Sequence, residues 1–89
     1  MIERLGRPHE YAVPGAFPEP RDDAPDVAKR LLATVAAINE VTDEYGVREA
    51  ARRAAISHST LSRTVTGEIW PSSVTVASLE TAFGIELWR

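Results

Sequence analysis

The side chains with the most chemical capacity fall between Arg48 and Ser72. His58, Ser59, Ser62 and Arg63 recur at helical spacing, so one face of a short helix would carry an imidazole, two hydroxyls and a guanidinium. Such a set has two uses. Histidine and serine are pieces of a hydrolase, but here they share one exposed helix, with no segment nearby to cradle an oxyanion. The other use is donation to a flat polar edge. A guanidinium bonds two adjacent acceptors at once, as on guanine O6 and N7. Arg48 and Arg52, one helical turn apart, make a second cationic edge suited to phosphate.

Other chemistry is excluded more simply. The chain has no cysteine, which removes disulfides, thiolate metal sites and cysteine nucleophiles together. Its two histidines, His9 and His58, are isolated from each other, so neither a metal site nor a cofactor is expected. The adjacent acids Asp22 and Asp23 lie in a proline-rich stretch where nothing would shift their ionisation. The chain therefore reads as a binding protein and not an enzyme.

Net charge, −3 over 89 residues, looks wrong for a polyanion binder until it is mapped. Residues 1–26 hold six acids against three arginines, whereas residues 47–67 carry Arg48, Arg52, Arg53 and Arg63 against Glu49 alone. Screening over about 8 Å at physiological salt mutes distant acids, so the local balance decides.

These residues need elements to hold them. Residues 1–24 contain four prolines and no apolar period, and read as an extended or flexible arm that is ordered only if it docks. Residues 25–89 form the compact domain. A first helix should begin near Pro25, with Val27, Leu31, Val35 and Ile38 as its apolar stripe and Gly46 as its stop. A second fits Val47 to Ala54, with Ala50, Ala51 and Ala54 inside and arginines outside. Ser57 caps a third, running to about Thr66 with Leu61, Thr64 and Val65 inward and Gly67 beyond. Ser72 or Ser73 caps a fourth, with Val76, Leu79 and Phe83 inward and Gly84 as its end. The fold class expected is all-α, a compact bundle of four to five short helices.

The stretch from Tyr45 to Gly67 resembles the helix-turn-helix of the Cro and lambda-repressor family. Ala51, Ile56-Ser57, Leu61 and Gly67 match its small, capping, core and stop positions. Pro71, Val76, Leu79, Phe83-Gly84-Ile85 and Leu87-Trp88 follow its fourth helix and exit, so the resemblance covers about residues 27–88. Three positions depart from the pattern. Val47 replaces a polar phosphate-holding residue, Ala55 replaces a turn glycine, and Thr64 replaces an aliphatic core residue.

The resemblance implies sequence-specific binding of double-stranded DNA, with the third helix in the major groove, by a bacterial or phage transcriptional regulator, most often a repressor. By position, His58, Ser59, Ser62 and Arg63 would read bases, and Arg48, Arg52, Thr66, Trp70 and Ser72 would meet phosphates. The apolar exit, Ile85, Leu87 and Trp88, is the expected surface for a weak homodimer or a protein partner. The alternative is an antitoxin-like or adaptor protein that binds another protein through this end or through the arm, where Tyr11, Val13 and Phe17 offer apolar contacts. No apolar run reaches the roughly 18–20 residues that span a bilayer, and the N-terminus lacks the form of a signal peptide, so a cytoplasmic location is expected.

Overall fold

The computed structural model describes residues 5–88. It is an all-α bundle of four helices: α1 (Asp26–Tyr45), α2 (Val47–Ala54), α3 (His58–Val65) and α4 (Ser73–Phe83).

Local sequence sets each boundary. Pro25 occupies the cap position of α1, and Gly46, at φ 84°, ends that helix and opens α2. The turn after α2 rests on Ala55, which takes the left-handed conformation (φ 57°, ψ 40°) at a cost of about 1 kcal/mol for a residue with a Cβ. The N–H of Ile56 then bonds the carbonyl of Ala51 at 3.0 Å, which closes the turn. Ser57 caps α3 by accepting the N–H of Thr60, and Ser72 caps α4 by accepting the N–H of Thr75.

The core gathers round α2. Its inner face, Ala50, Ala51 and Ala54, is buried and lets α1, α3 and α4 all approach it. Ile38 and Val41 of α1, Leu61 of α3, and Val76 and Leu79 of α4 complete the cluster. Thr64, a poor core residue by type, is fully buried. Its hydroxyl donates to the carbonyl of Thr60 at 2.9 Å, so no polar group is left unpaired there.

The first half of α1 departs from the expected stripe. Val35 and Ile38 are inside, but Val27 is 53% exposed and Leu31 half-buried, while Ala28 and Leu32 are fully buried. The inner face is displaced because this half of the helix packs on the N-terminal segment.

The described residues of that segment, 5–24, fold back onto the bundle. Residues 8–11 form a 3₁₀ turn, and Ala12 bridges to Pro20 in antiparallel fashion, closing a loop between them. The loop docks on the turn after α3. The N–H of His9 donates to the Gly67 carbonyl at 3.1 Å, and the indole N–H of Trp70 donates to the Gly6 carbonyl at 2.8 Å. The Tyr11 hydroxyl accepts the N–H of Gly6 at 2.8 Å, and the Tyr11 ring lies 6.2 Å from that of Trp70. Phe17 covers Gly67 so closely that an added Cβ would stand 2.9 Å from its ring and 3.0 Å from His9 Cβ.

Gly67 also has φ 84°, so an alanine there meets both a backbone and a steric penalty. Gly67→Ala should cost about 2–3 kcal/mol in chemical denaturation. In Phe17→Ala/Gly67→Ala the two losses should add to clearly less than their sum, because removing the ring opens the space. Strict additivity would show that the segment does not sit on this turn.

Candidate nucleic-acid interface

Burial of one face of α3 decides what the other face can do. Leu61 and Thr64 turn inward, leaving His58, Ser59 and Arg63 exposed and Ser62 half-buried along the opposite side. The cap at Ser57 fixes where this helix starts, and the closed turn at Ala55 fixes its angle to α2. The four residues expected to read a polar edge thus share one accessible surface. Among the described residues, neither Arg63 nor Arg48 has an ion-pair or hydrogen-bond partner, so both guanidinium groups are available to an outside anion.

Arg52 is placed differently from what its spacing suggested. Glu49 accepts from its Nε at 2.8 Å and its Nη2 at 2.6 Å, a two-pronged contact. The same carboxylate accepts from Arg53 Nε at 2.8 Å. Arg53 is further held over the rings of Tyr45 and Phe83, at 4.8 and 5.7 Å from their centroids. One acid therefore restrains two cations. The signal was in the sequence, since Glu49 precedes Arg52 and Arg53 by three and four residues, the spacing at which helical side chains meet.

The remaining phosphate candidates divide. Thr66 is exposed, but its hydroxyl lies 3.3 Å from the Arg63 carbonyl and 3.3 Å from the Glu68 carboxylate. Ser72 is exposed, and its hydroxyl is engaged with Thr75 in the α4 cap. Trp70 is half-buried and its indole N–H is bound to the Gly6 carbonyl, so that donor is engaged in the N-terminal docking contact.

The proposed partner surfaces also change. Ile85 and Trp88 are 40% and 48% exposed, but Leu87 is only 1% exposed and joins the core. The reason is Glu80: its carboxylate accepts the N–H of Leu87 at 2.8 Å and draws the tail back onto α4. In the N-terminal segment Tyr11 and Phe17 are spent on internal contacts, and Val13 alone of the three named is left exposed. Among the described residues no group of three or more histidines and acids stands ready to hold a metal, and no helix is long and apolar enough to cross a membrane.

Comparison with known protein families, with curated proteins and with solved structures finds no match.

The Glu49 contacts have a measurable signature. Hydrogen bonds from Arg52 first, then Arg53, hold its carboxyl at about 2, below its ordinary value of 4.5. A lowered carboxyl contributes stability that is present above its unfolded value and is lost as pH falls from there toward about 2. An NMR titration of the Glu49 carboxyl should find this low midpoint. Arg52→Ala should raise it more than Arg53→Ala does. A midpoint near 4.5 in the unaltered protein would mean that the two arginines are free in solution.

Proposed function

We propose that this protein is a sequence-specific binder of double-stranded DNA, with α2 and α3 acting as a helix-turn-helix and α3 entering the major groove. The observation that carries this reading is a capped, rigidly cornered α3 whose open face presents His58, Ser59, Ser62 and an Arg63 without a side-chain partner among the described residues. The resemblance of residues 27–88 to the Cro and lambda-repressor family supports the same assignment and suggests a transcriptional regulator, most simply a repressor, working on the bacterial or phage genome in the cytoplasm.

Roles follow from chemistry at each position. Arg63 would take a guanine edge bidentately, with His58 and Ser59 in the first turn of α3 reading neighbouring bases. Arg48, exposed at the start of α2 and without a partner among the described residues, would grip a phosphate. Arg52 would reach a phosphate only by leaving Glu49. No catalytic step is assigned to any of these residues.

Selection of a site from random DNA followed by anisotropy titration tests the reading. Arg63→Ala should cost about 1–3 kcal/mol on the selected site and relax preference at one base pair. Arg48→Ala should weaken all sequences alike and flatten the dependence of log K on log salt by about 0.9. If no sequence is enriched, or if Arg63→Ala lowers affinity equally on every sequence, α3 does not read bases.

A further inference from the structure

A second surface lies away from α2 and α3, on the C-terminal half of α1 and the tail that follows α4. There a groove of about 350 Å³ runs between the two, floored by apolar side chains of which Val41 and Leu87 belong to the core. Ile85 stands on its wall, 40% exposed although the tail around it is fixed by Glu80. Glu40 and Glu44 line it from α1, one turn apart, and Glu86 faces them from the tail.

Glu44 is costly where it is. Asp43 and Glu44 occupy the last turn of α1, which has no basic residue, so their charges meet the negative end of the helix dipole. Among the described residues Glu40, Glu44 and Glu86 have no ion-pair partner, in contrast to Glu49, which has two. They are not gathered as a metal site would be, since no cluster of that kind exists among the described residues. Carboxylates spread along both rims of an apolar channel complement an elongated partner with cations on its flanks and hydrocarbon along its centre. The α1 rim spans about two helical turns, roughly 10 Å at 1.5 Å per residue, which matches a short amphipathic helix.

We propose that this groove binds a basic amphipathic helical segment of another protein, with apolar side chains against Ile85 and lysine or arginine against Glu40, Glu44 and Glu86. The occupancy relieves the unfavourable charge at the end of α1 and covers Ile85 in one step. The site shares no residue with α2 or α3, so it stands whether or not the DNA reading does, and a protein partner and DNA can be held together.

The probe is a short synthetic Leu/Lys amphipathic helix, with its Leu/Glu counterpart as control, titrated into the full chain and followed by calorimetry and amide NMR. The Leu/Lys peptide should bind and the Leu/Glu peptide should not, with shifts concentrated in residues 37–44 and 85–88. E40Q/E44Q/E86Q should weaken binding at least tenfold, about 1.4 kcal/mol. Ile85→Ser should weaken it severalfold on its own. All four side chains are exposed, so circular dichroism and melting should show both variants folded, and DNA affinity should be unchanged in Ile85→Ser. Loss in the charge variant with none in Ile85→Ser would reduce the effect to general attraction of a polycation and overturn the proposal. So would shifts centred elsewhere. Sedimentation showing the protein alone as a dimer that Ile85→Ser dissolves would assign the groove to a second copy instead, and likewise overturn it.

Discussion

An eight-residue helix that must touch three others at once can do so only if it has almost no side chains on that face. Ala50, Ala51 and Ala54 meet this condition in α2. Ala50 is wholly buried and Ala51 nearly so. Even one added methylene there would push α2 off its neighbours, at a cost typical of overpacked cores, about 1–3 kcal/mol. The displacement would not stay local. α3 is joined to α2 through the short turn at Ala55 and Ile56, so the direction in which His58, Ser59 and Arg63 point is set by how closely α2 can sit on α1 and α4.

Charge is sorted on this frame in three different ways. Among the described residues Arg48 and Arg63 have no partner and stay open to an approaching anion. Arg52 and Arg53 are answered internally by Glu49, and Arg53 is also seated on two aromatic rings. The acids at the end of α1 have no answer among the described residues. A single net charge hides all three arrangements, which is why the sum over the chain says so little about its partners.

Much of the frame was readable from residue order. Glycine at 46 and 84, serine at 57 and 72, and the alanine spacing of α2 act within a turn of where they stand, so they placed the helix ends closely. The strain at Ala55 was equally local. What could not be read depends on distant pairings. Leu32 replaces Leu31 on the inner face because residues of the N-terminal segment cover it, and that segment has no periodicity to announce docking. Trp70 looked available to DNA because nothing near it in sequence suggests Gly6 as its acceptor. Leu87 reads in sequence like Trp88, and only Glu80, seven residues earlier, draws its backbone onto α4. At the candidate interface, the α3 face follows from helical spacing alone, and the same spacing carries the signal for the pairing of Arg52 with Glu49.

The bond from Trp70 to Gly6 joins positions 64 residues apart, and this fixes an order of events as the chain is made. The N-terminal segment leaves the ribosome first, yet its seat, the turn at Gly67 and the indole of Trp70, is made long after it. At about 5–20 residues per second the segment waits several seconds with nothing to dock on. During that interval Leu32 and Ala28 lack their cover, and the first half of α1 has one apolar face open to water or to a chaperone. Closing so long a loop costs only slowly more than closing a short one, because the entropy grows with the logarithm of length. The delay is thus a matter of timing more than of final stability, and it leaves the completed fold with residues made seconds apart locked together.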